Sequence, residues 1–236
     1  MRKISLAFVI VSSLLFVSCR KVTGDGPVVS ETRPVPDFTG IDQRVGATVY
    51  YTQSPNYKVE VSAQQNILDV LQTYVSNNKL VVKFKDGVQV RSHESIRVEV
   101  AAPQVNSVHM SGSGNLYITG PFTPGSLDLA ISGSGDMNIT ELNTGFLEAV
   151  ISGSGNIRIS KGSAGEEKLK ISGSGNMNLE NITAARVTTT TSGSGDTKVT
   201  ATETLDVTIS GSGSVYYNGS PRINASISGS GKVVHF

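Results

Sequence analysis

The sequence lacks several features that stabilise or mark common classes of protein. It has no tryptophan, aromatic residues make up only 6% of it, and it holds one cysteine among 236 residues. One cysteine cannot form an intramolecular disulfide, so packing and backbone pairing alone must hold the fold. The scarcity of aromatic side chains fits a thin, repetitive β architecture better than a thick core. A formal net charge of +1 leaves no basic footprint for a nucleic acid.

The first 18 residues have the pattern of a secretory signal peptide. A positively charged start precedes an apolar run over residues 4–17, and a small residue precedes the single Cys19. A lone cysteine at this place resembles the lipobox of bacterial lipoproteins, which implies that Cys19 becomes lipidated and anchors the protein to a membrane. Because Arg20 rather than aspartate follows it, the resemblance to lipoprotein sorting signals favours the outer membrane of the cell envelope. The alternative is an ordinary signal peptide with an incidental cysteine.

The decisive feature of the chain is the tetrapeptide Ser-Gly-Ser-Gly, which occurs seven times. The copies begin at Ser111, Ser132, Ser152, Ser172, Ser192, Ser210 and Ser228, in steps of 18 to 21 residues. A nearly fixed period of this length indicates a repeat architecture. A flexible Gly/Ser linker is the competing interpretation of any single copy. Seven evenly spaced copies with apolar flanks are not typical of such linkers.

Alternating residues around each motif predict a strand with one buried face. In one copy Leu127, Leu129 and Ile131 share a parity with the two glycines that follow, so these residues face inward and the serines outward. Equivalent apolar residues recur in every copy, and identical residues stack in register only between parallel strands. We expect two columns inside the protein: Ile118, Ile139, Ile159, Leu179 and Val199, and Ile131, Ile151, Ile171, Ile209 and Ile227.

The sequence therefore predicts an all-β fold, a right-handed parallel β-helix (solenoid) of about seven regular coils over residues 107–236. Two inward slots hold Thr191 and Thr197, so their coil should be the weakest-packed. Phe236 is expected to plug the C-terminal end. An exposed sheet edge at either end is a candidate site for homo-oligomer formation.

The remaining segments are less regular. Residues 19–37 combine glycines and prolines with charges, which predicts an extended tether from the lipid to the domain. Residues 38–106 contain four strand-like runs and form an N-terminal β-rich part. Pattern alone leaves open whether this part is a separate cap or an irregular portion of the same helix.

Several short segments occur together with the repeats. They are Phe38-Thr39-Gly40-Ile41, Gly46-Ala47-Thr48-Val49, Asn66-Ile67-Leu68, Asn78-Lys79-Leu80-Val81-Val82 and the Ser-Gly-Ser-Gly copies, most of which precede Asn or Asp. Together they resemble the DUF2807 family, the putative auto-transporter adhesin, head GIN domain, over roughly residues 38–235. The resemblance implies a secreted β-helical domain with an adhesin-like role, and it brings no catalytic residues to carry over.

The candidate binding face consists of outward serines and the Asx residue after each motif. Such a regular polar face suits a glycan or an envelope or matrix protein. Its central members are Ser132, Ser134, Asp136, Ser152, Ser154, Asn156, Ser172, Ser174 and Asn176. The competing interpretation is that the Asx residues only form a ladder that satisfies its own polar groups.

Catalysis is not expected. β-Helices do carry polysaccharide-cleaving enzymes, so a carbohydrate-active enzyme is the alternative function, but Asp136 and Asp196 lie three coils apart and cannot act together. The three histidines are scattered without metal-ligand spacing, so neither a metal nor another cofactor is expected. The charged run Glu166-Glu167-Lys168 is interpreted as a solvated loop.

Overall fold

The structure, a computed structural model, describes residues 20–236 and is nearly all β. The predicted signal peptide and the predicted lipidation site Cys19 lie outside the described residues. The chain forms a β-solenoid of about six turns, close to the number of coils predicted from the repeats. Its one helix within the described range is a single turn, α1 (Gln65–Leu68).

The strands follow the chain without interruption by larger helices. In the N-terminal part they are β1 (Arg20–Val22), β2 (Val28–Thr32), β3 (Gly40–Gln43), β4 (Thr48–Gln53), β5 (Lys58–Gln64), β6 (Leu71–Ser76), β7 (Lys79–Phe84), β8 (Val88–Val90) and β9 (Arg97–Ala102). In the repeats they are β10 (Ser107–Met110), β11 (Asn115–Phe122), β12 (Ser126–Ile131), β13 (Asp136–Ile151), β14 (Ile157–Ile159), β15 (Gly162–Gly173), β16 (Met177–Gly193), β17 (Thr197–Gly211), β18 (Val215–Asn218), β19 (Arg222–Gly229) and β20 (Val233–His235).

Each Ser-Gly-Ser-Gly motif connects two stacks of parallel strands. The strand segments before the motifs form sheet I, in the order β6-β7-β3-β10-β12-β13-β15-β16-β17-β19. The segments after the motifs form sheet II, in the order β2-β5-β9-β4-β11-β13-β14-β16-β17-β18-β20. Both predicted apolar columns stack in register, one in each sheet, and the second column contains Thr191 between Ile171 and Ile209.

The N-terminal part is continuous with the repeats. In sheet I, β3 pairs in parallel with β10, and in sheet II, β4 pairs in parallel with β11. Within residues 20–236, antiparallel pairings occur only at the N-terminal end of the stack, where β5 pairs with β9 and β2, and where β6 pairs with β7. Residues 38–106 are thus the first, irregular coils of the same solenoid, with reversed strands that cover its N-terminal end.

The segment expected to be a tether packs against this end instead. Arg20–Val22 pairs with Val88–Val90, and Val28–Thr32 pairs with β5. The segment is extended, as expected from its prolines and glycines, but its backbone hydrogen bonds go to the domain. The composition of the segment indicates that it is extended, but it does not indicate which strands it pairs with. The tether prediction is therefore wrong for these two strands.

Glycine is required in the motifs because successive coils approach each other closely there. A Cβ built on Gly155 would overlap the carbonyl oxygen of Gly135 in the preceding coil. At Gly193 the backbone also has a φ of 141°, a conformation that residues other than glycine rarely adopt. The motif is therefore a close backbone contact repeated along the stack, and backbone N–H groups in it donate to the coil before, as Ser154 does to the Gly133 oxygen at 3.1 Å.

The interior of the repeats contains a carboxyl group that the sequence did not predict there. Glu167 is fully buried, at 0% exposure, in β15 between Leu147 and Val187 of the neighbouring coils. The prediction of a solvated loop over residues 166–168 is wrong at this position, because Glu167 has the inward parity of Leu147. Both carboxyl oxygens lack a hydrogen-bond partner within the described structure, and burial raises the pKa of Glu167 to about 8.

Coil length varies without disturbing the two main sheets. Between β16 and β17 the register shifts twice, first between Leu179 and Thr183 and then between Ala184 and Arg186. These shifts fall between the sheet II segment and the sheet I segment of β16, on what we call the short side of the coil. Past them, the inward columns of sheet I regain their register, so the shortening from 20 to 18 residues is absorbed at this side.

The C-terminal end has no plug within the described residues. Phe236 is 50% exposed, and its ring lies 5.8 Å from the Lys198 Nζ on the outside of sheet II. The expectation that Phe236 closes the end is therefore wrong.

Candidate binding site

The serines of the candidate face lie at the surface, as their parity predicted. Five of the six central serines are exposed and Ser172 is half-buried. No hydroxyl of these six forms a hydrogen bond with another group of the described protein. Each motif thus presents two hydroxyls whose donors and acceptors are free for water or a ligand. The central serines are Ser132, Ser134, Ser152, Ser154, Ser172 and Ser174.

The Asx residues beside them form a ladder of hydrogen bonds. The Asp136 Oδ1 accepts from the backbone N of Asn156 at 3.0 Å and from its Nδ2 at 2.8 Å, and the Asn156 Oδ1 accepts from both nitrogens of Asn176 at 3.1 Å. The ladder continues to the backbone N of Asp196 and then to that of Ser214. One oxygen of each Asx side chain is therefore committed to holding the next coil.

A second outward row runs parallel to this ladder, two residues further along each strand of sheet II. The row differs in residue type from coil to coil, so the sequence pattern did not reveal it. The pairing registers place its members side by side across adjacent strands. They are Tyr50, Tyr117, Asn138, Arg158, Asn178, Lys198 and Tyr216, and we call them the outward row.

A polar groove lies between the ladder and the outward row. Its volume is about 220 Å³, and it lies over the strand segments that begin at Asp136, Asn156 and Asn176. The polar side chains that line it are Asp136, Asn138, Asn156, Arg158, Asn176 and Asn178, and Met137 and Ile157 add apolar surface between them. The groove thus combines three predicted residues of the candidate face with three that the sequence analysis missed.

Two side chains of the groove have uncommitted polar groups. Within residues 20–236, Arg158 forms no salt bridge and neither Arg158 nor Asn138 forms a side-chain hydrogen bond. By contrast, Asn178 is engaged with Glu180, which donates its backbone N to the Asn178 Oδ1 at 3.2 Å. A guanidinium and an amide in neighbouring coils offer several donors and one acceptor, arranged on a rigid sheet.

The outward row becomes aromatic toward the N-terminal end. The rings of Tyr50 and Tyr117 stack with centroids 5.2 Å apart, and the Arg97 guanidinium lies 3.9 Å from the Tyr50 centroid. A hydrogen bond of 2.8 Å joins the hydroxyls of Thr52 and Thr119 beside them. A shallow depression of about 430 Å³ lies next to this stack. Since both faces of the Tyr50 ring are covered, the stack stiffens the face and offers ring edges to a ligand.

Titratable side chains that lie close together at the surface form ion pairs. The His109 Nε2 lies 3.1 Å from the Asp128 Oδ2, and hydrogen bonding to His109 lowers the pKa of that carboxyl. Within residues 20–236, no group of three potential metal ligands converges. In the same range no helix has the length and hydropathy needed to cross a membrane.

The sequence profile of the DUF2807 family, described as the putative auto-transporter adhesin, head GIN domain, matches residues 37–221. The chain belongs to this family. The match confirms the resemblance carried by the repeats and by the N-terminal segments, although it ends fourteen residues before the end of the range expected. No protein of curated function matches the chain.

Solved structures of similar proteins share the fold over most of the chain. A putative adhesin from Bacteroides fragilis is 27% identical, with a TM-score of 0.85, and the match covers 91% of this chain and 100% of that one. A putative adhesin from Parabacteroides distasonis is also 27% identical, with a TM-score of 0.76 over 92% and 100% of the two chains. A putative lipid binding protein from Parabacteroides distasonis, at 21% identity and a TM-score of 0.76 over 92% and 100%, shares the fold alone. The family and two of these neighbours are thus described as putative adhesins, and the third neighbour as a putative lipid binding protein.

Proposed function

We propose that this protein is a lipid-anchored, non-catalytic binding module of the bacterial outer membrane that holds a glycan in the polar groove of sheet II. The adhesin-like family and fold support an envelope or surface role. The cysteine after the signal-like segment supports a lipid anchor at Cys19, with residues 1–18 removed. The observation that carries the ligand assignment is the pair of uncommitted side chains, Asn138 and Arg158, beside the Asx ladder.

A glycan fits this groove for chemical reasons. Its vicinal hydroxyls pair well with planar amide and guanidinium groups, which donate in fixed directions. The exposed hydroxyls of Ser134 and Ser154 extend the polar surface beyond the ladder. The ladder holds the coils at a constant spacing, so the groove needs little reorganisation on binding.

The same periodicity suits a polymer more than a single sugar. Each coil repeats the serine pair at about 4.8 Å along the stack, and weak contacts of this kind sum only when several are made at once. A chain of sugar units lying along the coils would meet several copies of the face. We therefore expect apparent affinity to rise with the length of the glycan.

A glycan array with the full chain carrying Cys19→Ser tests the proposal. The soluble chain is expected to bind one class of polymeric glycan, and Arg158→Ala and Asn138→Ala should each weaken binding by about tenfold or more. The matched control is Lys170→Ala, at an exposed cation on the outer face of sheet I that forms no salt bridge with the rest of residues 20–236, and it should leave binding unchanged. Thermal unfolding of each variant checks that the fold persists.

Two results would count against this function. If no glycan binds, or if the groove variants bind as well as the Lys170→Ala control, the groove is not the site. If the chain instead captures an envelope or matrix protein with the same dependence on Arg158, that protein replaces the glycan as ligand. Cell fractionation checks the anchor, because Cys19→Ser should release the protein from the membrane fraction.

A further inference from the structure

The last coil of the solenoid leaves its core-type residues uncovered. Ile223 and Ile227 of β19 are 39% and 44% exposed, whereas their partners in the preceding coil, Leu205 and Ile209, are buried. Every residue of β19 is exposed. The last coil therefore repeats the inward set of an interior coil rather than the polar set that a terminal repeat needs for solubility.

The outer edge of β19 is also free. Within residues 20–236, β19 pairs with β17 alone, so a strand of eight residues presents one row of unpaired backbone groups. At the other end, β2 and β6 are also edge strands and Val28 and Val29 of β2 are exposed. That end differs because these strands lie antiparallel on β5 and β7, whose core residues Val61 and Leu80 stay buried. An unprotected edge beside exposed isoleucines is a template for pairing with another strand.

The sequence of β19 is complementary to itself in antiparallel orientation. With a two-fold axis through Ala225, Ile223 lies opposite Ile227 of the second copy and Ala225 lies opposite Ala225. Directly opposed residues of antiparallel strands point to the same face of the sheet. The apolar residues of both copies therefore meet on the interior side.

The polar residues of β19 match in the same register. Asn224 lies opposite Ser226 of the second copy, and Arg222 lies opposite Ser228. Arg222 is the one charged residue of the strand, so no like charges face each other. On one side of the strand apolar residues thus face apolar residues of the second copy, and on the other side polar residues face polar residues.

We propose that two copies of this chain dock end to end through β19, with sheet I continuing from one copy into the other. The contact uses the same surface on both copies, so it closes as a dimer with two-fold symmetry. Arg20 pairs with Val88 in the first coil, at the opposite end of the stack. Given the lipid anchor proposed above, the dimer carries its two anchors at its far ends and links two membranes.

A cysteine placed on the two-fold axis tests the geometry. In the full chain with Cys19→Ser, the change Ala225→Cys introduces the one thiol, which lies opposite its own copy. Directly opposed Cα atoms in an antiparallel pair are about 4.5–5.5 Å apart, within the range of a disulfide. Oxidation by diamide, which takes up the two hydrogens of the thiols, should give a covalent dimer. Ser134→Cys, exposed on the serine face away from β19, should give no covalent dimer within the docked pair.

Sedimentation of the same chain without the added thiol supplies a second measurement. The protein is expected to dimerise with rising concentration, and Ile227→Lys should raise the dissociation constant by about tenfold or more. Val28→Lys, at an exposed valine of the other end, should have no effect. A chain that stays monomeric with Ala225 intact, equal dimerisation of both lysine variants, or polymers that lengthen with concentration would each overturn the proposal.

Discussion

The irregular first coils and the regular repeats form one stack but fill their interiors differently. In the first coils Phe38 and Tyr51 are fully buried, and Tyr51 meets the buried Phe122 of the first repeat edge to face with centroids 5.4 Å apart. After Phe122, no aromatic residue is buried. The repeats instead enclose aliphatic side chains and three polar ones without hydrogen-bond partners in the described structure: Glu167, Thr189 and Thr191.

This difference shows what a repeat architecture tolerates. In the first coils, buried polar side chains are satisfied in part: the Gln43 Nε2 donates to the carbonyl oxygens of Val45 and Ala47 at 3.3 and 2.6 Å, whereas its Oε1 has no partner in the described structure. In the repeats each coil contacts only its neighbours, so stability is a sum of similar terms and one poor coil does not undo the rest. The repeats depend more strictly on close backbone contact, which the glycines provide.

The largest effect should come from Glu167. Burial raises the pKa of Glu167 from its ordinary value of 4.5 to about 8. Between these two pH values the Glu167 carboxyl is ionised in the unfolded chain but stays protonated in the folded protein. The free energy of unfolding should therefore fall as pH rises from 4.5 to 8, by up to about 1.4 kcal/mol per pH unit. Urea unfolding of wild type and Glu167→Gln at pH 5 and pH 8 measures this, because the variant lacks the titration.

The matched control is Glu166→Gln at the exposed neighbour. Glu166 pairs with Arg186 at 3.3 Å on the surface, and such pairs contribute less than about 1 kcal/mol. Its variant should keep the pH dependence of the wild type. If Glu167→Gln keeps it as well, the carboxyl is not buried in the folded protein.

A smaller loss is expected when a methyl group is added to a motif glycine. Gly155→Ala places a Cβ against the Gly135 oxygen and should cost about 3 kcal/mol, since the two coils must separate locally. Gly46→Ala, in the first coils, meets no atom within 4 Å and should change stability by less than about 0.5 kcal/mol. Equal unfolding midpoints for the two variants would show that the coils do not need glycine contact.

The smallest effect concerns the threonine in the isoleucine column. Thr191→Val keeps the shape between Ile171 and Ile209 but removes a buried hydroxyl without a partner, so it should stabilise the protein by about 1 kcal/mol. Thr188→Val, at an exposed position of the same strand, should be nearly neutral. A destabilised Thr191→Val would mean that the hydroxyl has a partner, such as a buried water molecule.

The parallel stack could be predicted from the sequence because residues of the same type recur at the same inward positions. Isoleucine at the same slot of successive copies determines parity and register together, and both columns are confirmed. The same rule should have located Glu167, twenty residues after Leu147. It was assigned to a loop because Glu166 and Lys168 make the segment look uniformly hydrophilic.

Other features leave weaker traces in the sequence. The outward row was missed because tyrosine, asparagine, arginine and lysine alternate in it, so only their position repeats. The pairing of β1 and β2 joins residues more than 25 positions apart, and no periodicity reports it. Of the candidate site, the Asx ladder was predicted as an alternative, whereas the groove beside it depends on the unpredicted row. The role of the serine face in binding stays a prediction.

The register shifts between β16 and β17 have a consequence for how such rods evolve. Because a change of two residues is taken up on the short side, neither sheet has to be redesigned when a coil gains or loses length. Tandem duplication or deletion of a whole repeat would alter the length of the stack in steps of about 4.8 Å. Gene recombination could thus adjust how far the distal coil extends while every remaining coil keeps its neighbours.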